Sequence, residues 1–286
     1  NGLLFYRTVD LLTELLPRRA LYALAKAAAA WACRNRHTVR RNLETNLRIV
    51  LAARGHAVTE TELAHMVRRN FENFGKYVVD FFQVGRLSPE ALDRWVKEEH
   101  IEYLDQCMAM KKGVIVLSAH LGNWELGAHV LERHGYPINA VVRPQPTARL
   151  EILFRSRRKS RGIRILPMDG GTRQVTACLK RGELVVLVGD LDFSAQDRRV
   201  PFFGQPARLP RGPAVLAART GAPILPAFMI REPDETFRCC IFPPIMPDPS
   251  QSVDDIRKRI CSVLEEVIGN HPDQWFAFDP VWPQKH

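Results

Sequence analysis

Two residues five apart, His120 and Glu125, stand directly behind the apolar run Gly113-Val-Ile-Val-Leu-Ser-Ala119. An imidazole can take a proton from a hydroxyl near neutral pH. A carboxylate on the other ring nitrogen would fix the tautomer and stabilise the imidazolium that forms. The spacing alone carries little weight: with nine histidines and 31 acids in 286 residues, about one such pair arises by chance. A second is present, His100 with Asp105, inside the charged stretch Lys97-Glu-Glu-His100. No strand-like run precedes it, and it reads as a surface pair. His120 differs in its setting, at the end of an apolar run and beside Gly122 and Asn123. A further acidic pair, Asp190 and Asp192, comes after the run Leu184-Val-Val-Leu-Val-Gly189. These two either begin a turn or hold a divalent cation and a diphosphate, as in nucleotide-sugar enzymes.

The patterning indicates the elements that would position these residues. Residues 1 to about 110 read as helical, with Leu3, Leu4, Phe5, Leu11, Leu12, Leu15 and Leu16 near helical spacing and Pro17 closing the segment. A helix through the Ala-rich run comes next, then helices over Glu60–Phe82 and Pro89–Met110. From Lys112 short β-branched runs alternate with helical stretches. Strands are expected at 113–119, 138–142, 163–166, 184–189, 222–228 and 236–242. Helices are expected at 123–134, 148–161, 172–180, 213–220 and 253–268. Such alternation indicates an α/β sheet packed on both faces, and His120 and Asp190 fall at the carboxyl ends of its strands, where chemistry usually sits. The organisation is a helical N-terminal region, 1–110, running into an α/β core, 111–286, as one continuous domain.

The formal charge of +10 narrows partners rather than fold: anionic lipid, nucleic acid or a phosphorylated substrate. Basic residues gather at Arg34, Arg36, Arg40, Arg41 and Arg48 against Glu44, and again at Arg155, Arg157, Arg158, Lys159, Arg161 and Arg164. Each group is either a solvated helix face or a surface for an anionic bilayer, lipid phosphates or an acidic carrier protein. A nucleic-acid partner is set aside, because no recognised motif is present and the basic residues lack aromatic interleaving. The six cysteines are scattered without metal-ligand spacing and read as small buried residues in a reducing compartment; no metal is expected. The apolar stretch Ala20–Cys33 is about 14 residues and contains Lys26, short of the roughly 20 that span a bilayer. Because the first residue is Asn1 rather than a methionine, an anchor ahead of it stays open.

Several blocks occur in order: Gly113–Glu125, Arg143-Pro144, Leu184–Asp192 and, sharpest, Val200-Pro-Phe-Phe-Gly204-Gln-Pro-Ala-Arg-Leu-Pro210-Arg-Gly212-Pro. Together they resemble the bacterial lipid A late acyltransferases, the lauroyl- and myristoyl-transferase family that also includes the mycobacterial phosphatidylinositol mannoside acyltransferases. Weaker similarity reaches Arg36–Ile49 and His271-Pro-Asp-Gln-Trp-Phe276, so most of the chain is covered. Phe278-Asp-Pro-Val-Trp282 departs from the basic ending usual in lipid A members, and the loop at 190–212 is nearer the mannoside-type branch. That departure leaves the acceptor open, not the chemistry.

The resemblance implies a glycerolipid-acyltransferase-like α/β fold, a mixed sheet flanked by helices, at the cytoplasmic face of a bacterial inner membrane. It implies an O-acyltransferase that moves a fatty acyl group from acyl carrier protein or coenzyme A, as thioester co-substrate with no further cofactor. The acceptor would be a hydroxyl of a glycolipid such as a lipid A precursor. His120 would be the general base, Glu125 its partner, and Asp190 an orienter of His120 or of the acceptor. Arg143 is the first nominee for the oxyanion donor and Arg158 the second. Asn123, Asp192, Arg211 and Gly212 are read as substrate-binding. Phe202 and Phe203 either line an acyl pocket or belong to ordinary core. No serine or cysteine nucleophile stands out, so direct transfer is expected. Two rivals remain: a metal-dependent glycosyltransferase using Asp190 and Asp192, and a lysophospholipid acyltransferase, against which the Val-Pro-Phe-Phe-Gly block argues.

Overall fold

The computed structural model describes residues 2–159, 162–168, 171–192 and 199–282. Pro17 separates helix α1 (Gly2–Leu15) from α2 (Arg18–Asn35), and α3 (His37–Ala53) comes next. The long α4 (Glu60–Val84) starts at a capping box, in which the Thr59 and Glu62 side chains satisfy each other's backbone N–H groups, worth about 1 kcal/mol. These helices are bolted to the sheet by a buried polar knot. Tyr22 of α2 donates to Asp80 of α4 at 2.6 Å, and Arg231 of the last long strand donates to Tyr22 at 2.8 Å and to Asp80 at 2.5 Å.

The stretch expected as one helix over Pro89–Met110 is three elements: α5 (Pro89–Trp95), strand β1 (Val96–Glu99) and α6 (Glu102–Ala109). Val96-Lys-Glu-Glu reads as a charged helix face because an edge strand needs few apolar residues; the strand that recruits it lies some 140 residues downstream. Alternation then proceeds as expected: β2 (Val114–Ser118), α7 (Trp124–Arg133), β3 (Ile138–Val142), α8 (Ala148–Lys159), β4 (Arg164–Pro167), α9 (Gly171–Lys180) and β5 (Leu184–Val188). Next is a hairpin not foreseen, β6 (Arg199–Phe202) and β7 (Gln205–Arg208), closed by Phe203 and Gly204, both at positive φ. This is the two-residue turn whose twist suits paired strands. The chain continues through α10 (Gly212–Thr220), β8 (Ile224–Arg231), β9 (Phe237–Ile241) and α11 (Val253–Asn270).

Seven strands form one mixed sheet in the order β1-β9-β8-β2-β5-β3-β4. Only β8 and β9 are antiparallel neighbours; the other pairs are parallel. β2 lies in the middle and is buried throughout. Its side chains alternate between two cores: Ile115 and Leu117 pack toward α9, α10 and α11, Val114 and Val116 toward α5, α6 and α7. A strand covered on both faces must be a continuous apolar run, which is why the segment before His120 is the most legible in the chain.

Candidate active site

β2 ends at Ser118, and the chain leaves the sheet through Ala119 into His120. The loop from His120 to Asn123 is held on two sides. Gly122 N–H donates to the Gln274 carbonyl at 3.0 Å, Asn123 N–H to the Met229 carbonyl at 2.9 Å, and Phe276 N–H to the His120 carbonyl at 2.7 Å. Gly122 has φ +61°, and a Cβ there would lie 1.8 Å from the Met229 carbonyl oxygen. Only glycine lets the loop come that close to β8. Asn123, read as substrate-binding, is fully buried and caps α7, its Oδ1 accepting Leu126 N–H at 3.1 Å.

Asp190 stands two residues past β5, and Gly189 N–H donates to the Ser118 carbonyl at 2.9 Å, which brings it alongside His120. Its Oδ1 accepts the His120 main-chain N–H at 3.0 Å and meets ring Nδ1 at 2.9 Å. Oδ2 accepts the indole N–H of Trp275 at 2.8 Å. An ionised carboxylate only accepts, so Nδ1 carries the ring proton and Nε2 is the basic nitrogen. Asp190 is 0% exposed. Burial alone would raise its carboxyl pKa; the neighbouring His120 charge and the hydrogen bonds from His120 and Trp275 outweigh it, and the group lies below its ordinary value.

Glu125 departs from the expected role of ring partner. Its hydrogen bonds go to Arg158 of α8, Nε to both carboxylate oxygens at 3.2 and 3.1 Å and Nη2 to Oε1 at 2.6 Å. Burial pulls the Arg158 guanidinium down, but the Glu125 carboxylate more than offsets this and holds it above its usual value. Three more residues of this basic run meet intramolecular acids: Arg155 with Glu151 at 3.4 Å, Arg157 with Asp10 of α1 at 2.5 Å, and beyond the helix Arg164 with Glu183 at 3.3 Å; the Lys159 side chain lies outside what the structure describes. Arg161 lies outside the described residues.

His120, Glu125, Arg143, Arg158, Asp192, Arg211 and Gly212 line a single cavity of about 1010 Å³ over the carboxyl ends of β3 and β5. One part of its wall is aromatic, with Tyr6, Phe74, Tyr77, Phe81, Phe82 and Phe154 drawn from α1, α4 and α8; another, from α9 and α10, mixes Thr172, Val175 and Leu216 with Arg219. Arg211 lies 3.7 Å from Asp254. Phe202 and Phe203 are not in the wall. Phe202 stacks on Trp282 at 5.7 Å and accepts its indole N–H through the carbonyl at 3.1 Å, so the hairpin residues are core.

Residue type and spacing assign no role to Trp275, Tyr77 or Phe154. Trp275 sat inside the block His271–Phe276, and a tryptophan beside Phe276 in an otherwise polar segment was the one available signal. Tyr77, stacked on Trp124 at 4.2 Å, and Phe154, edge-on to Tyr6 at 5.0 Å, look in sequence like any apolar helix position.

Fold and site together define an α/β enzyme whose histidine–aspartate pair opens on a large, partly aromatic cavity. Residues 3–284 match the model of the bacterial lipid A biosynthesis acyltransferases, and the chain belongs to that family, as an O-acyltransferase of the glycolipid type. It is 28% identical to a phosphatidylinositol mannoside acyltransferase of Mycobacterium tuberculosis, over 86% of this chain and 78% of that protein. To a lipid A biosynthesis lauroyltransferase of Escherichia coli it is 25% identical, over 91% of this chain and 84% of that one. A palmitoleoyltransferase of lipid A biosynthesis from Escherichia coli is 24% identical, with 85% and 76% covered.

Proposed function

We propose that this chain transfers a fatty acyl group from a thioester of acyl carrier protein or coenzyme A to a hydroxyl of a membrane glycolipid, with His120 as general base. The observation that carries this reading is His120 on the wall of the aromatic cavity, hydrogen-bonded to Asp190 buried behind it. Nε2 of His120 takes the hydroxyl proton as the acceptor oxygen attacks the thioester carbonyl. The tetrahedral intermediate collapses, the C–S bond breaks, and the imidazolium returns its proton to the leaving thiolate. Asp190 keeps the ring in the tautomer that needs Nε2 as base and stabilises the imidazolium.

The oxyanion needs a donor in the same space. Main-chain N–H groups of residues 120 to 123 are already engaged with Asp190, Ala119, Gln274 and Met229, and Arg158 is forked onto Glu125. Arg143 stands on the cavity wall directly after β3, a placement that makes it the first nominee for this donor. The aromatic wall suits the acyl chain, and the α9–α10 wall, with Asp192, Arg211 and Arg219, suits the polar part of donor or acceptor. Both carboxylate oxygens of Asp190 are occupied by His120 and Trp275, an arrangement that favours an orienting acid over the metal-binding role of the glycosyltransferase reading.

Among the described residues no helix is long and apolar enough to cross a membrane. Access to the glycolipid is through a surface: Leu4, Phe5, Leu11 and Leu15 of α1 and Leu24 and Trp31 of α2 are exposed apolar side chains, next to exposed Arg7, Arg19, Lys26 and Arg34. That combination fits an anionic bilayer, here the cytoplasmic face of the inner membrane.

Acyl transfer in detergent micelles tests the reading, with labelled thioesters and with lipid A precursor or phosphatidylinositol mannoside as acceptor, in the presence and absence of a chelator. Donor-dependent product that survives chelation and falls about 10²–10⁴-fold in His120→Ala is expected. Full activity in His120→Ala removes the proposed base, and chelator-sensitive sugar transfer moves the case to Asp190 and Asp192.

A further inference from the structure

Trp275 is fully buried, and a buried indole seeks an acceptor for its N–H. The acceptor here is charged: Oδ2 of Asp190, at 2.8 Å. Both donors of His120 fall on the other oxygen, Oδ1, at 3.0 and 2.9 Å. A carboxylate held through one oxygen alone can turn about its Cβ–Cγ bond and exchange its two oxygens. With the indole on Oδ2 the plane is set, and Oδ1 stays against Nδ1.

Trp275 is itself fixed through its main chain and through its ring. Asn70 of α4 donates to the Trp275 carbonyl at 2.6 Å. Trp275 bridges Leu121 in the loop that carries His120, and its ring meets Phe202 and Trp282 edge-on at 6.5 and 6.2 Å. We propose that Trp275 is a positioning residue of the His120–Asp190 pair, its indole N–H orienting the Asp190 carboxylate and moderating the hold of that carboxylate on protonated His120. The proposal rests on the reading of His120 as the general base.

A charge-assisted hydrogen bond draws negative charge toward its donor. Without the indole N–H, buried Asp190 is a stronger acceptor from Nδ1 and holds the imidazolium more tightly. The rate then suffers twice: Asp190 loses its orientation, and the acid limb of the pH profile moves to higher pH. Among the described residues, the other charged or titratable groups on the cavity that His120 lines are Tyr6, Tyr77, Glu125, Arg143, Arg158, Asp192, Arg211 and Arg219. None changes in the substitution, so a shift reports on the indole.

The experiment uses the full chain in the micellar transfer assay. Benzothienylalanine, which keeps the bicyclic shape and replaces N–H by sulfur, is installed at position 275 by nonsense suppression, beside Trp275→Phe, each with Asp190 and with Asp190→Asn. Expected are a fall in kcat of about tenfold, a donor KM within about twofold of wild type, and an acid limb displaced upward. In Asp190→Asn the same replacement changes the residual rate less than about twofold, because the coupling has gone. In ¹⁵N spectra the Trp275 indole resonance moves with the titration that governs activity and is displaced in Asp190→Asn. An isostere with wild-type kcat and pH profile overturns the proposal, as does a loss of equal size in both backgrounds, which marks packing alone. If Trp275→Phe is too unstable to purify, the isostere decides. Retained activity in His120→Ala brings down the base itself; an inactive His120→Ala with an unaffected isostere brings down only the role of Trp275.

Discussion

Glu125 and Arg158 form a forked ion pair between α7 and α8, with 2.6 Å between Nη2 and Oε1 and side chains only about a tenth exposed. Phe81 and Phe154 flank the guanidinium, their centroids 5.6 and 5.9 Å from its carbon. The pair therefore stands between the loop that carries His120 and the aromatic wall, and fastens α8 over the cavity. Removing one partner leaves the other charge buried and alone, which costs about 3–5 kcal/mol. Glu125→Leu or Arg158→Met alone should lower the urea midpoint strongly. The double substitution should recover much of it, since replacing a whole buried pair by apolar groups is often neutral. Recovery of stability without recovery of activity would assign the pair a part in the reaction beyond holding the helix.

Glu183 offers a stability test remote from the chemistry, at the start of β5 while Asp190 lies past its end. Arg181 donates to it at 2.7 and 3.0 Å and Asn139 at 2.8 Å. The Arg181 hydrogen bonds lead in overcoming partial burial and hold the carboxyl at about 2, down from 4.5. A depressed folded-state pKa contributes stability above the unfolded value that is lost as pH falls through the folded one. Glu183→Gln should therefore be less stable than wild type at pH 7, with the difference shrinking from about pH 4.5 down to about 2, as read by urea unfolding. A gap that stays constant down to pH 2 contradicts the linkage. Micellar kcat at pH 7 should not change.

How much of the molecule was legible in its sequence depended on how far apart partners lie. β2 and β5 are local apolar runs, so the strand ends bearing His120 and Asp190 were legible, and the ordered blocks led to the family. β1 was not, because Val96–Glu99 becomes a strand only through β9. The hairpin β6–β7 is hidden in the sequence because its apolar residues, Phe202 among them, serve core and turn together. At the site, the His120–Asp190 contact spans 70 residues, Glu125–Arg158 spans 33 and Asp190–Trp275 spans 85. Local spacing suggested Glu125 as the partner of His120, but a residue in the first turn of α7 faces whatever packs on that turn, and here that is α8.

Chain-length choice should respond to the aromatic wall. Val78, on α4 between Tyr77 and Phe81, lines the cavity without filling it. Val78→Trp should occupy volume that a long acyl chain uses and leave His120 untouched. Each excluded methylene forfeits about 0.8 kcal/mol, roughly fourfold in kcat/KM. Discrimination against long-chain donors should therefore grow with each added carbon, while the shortest donors keep wild-type rates. A uniform loss across donor lengths would place the acyl chain elsewhere.

Membrane docking gives the last test. Leu4, Leu11 and Leu15 recur on one stripe of α1 and are 68%, 54% and 67% exposed, an arrangement that aqueous solvent does not favour. The same helix sends Tyr6 to the cavity wall, where it meets Phe154 and Phe82 at 5.0 and 6.2 Å. A bilayer against the stripe would thus deliver lipid within one helix diameter of the aromatic wall. Replacing all three leucines by serine should remove about 1 kcal/mol of partial apolar burial at each, or roughly a hundredfold in vesicle affinity. Binding should be stronger to anionic than to neutral vesicles and weaken with salt. Turnover of dispersed short-chain substrates should be unchanged in the triple variant, since none of the three lines the cavity. Undiminished co-sedimentation of the triple variant with anionic vesicles would mean that the protein docks through another face, with the basic residues at the α2–α3 junction, Arg34, Arg36 and Arg41, the next to substitute.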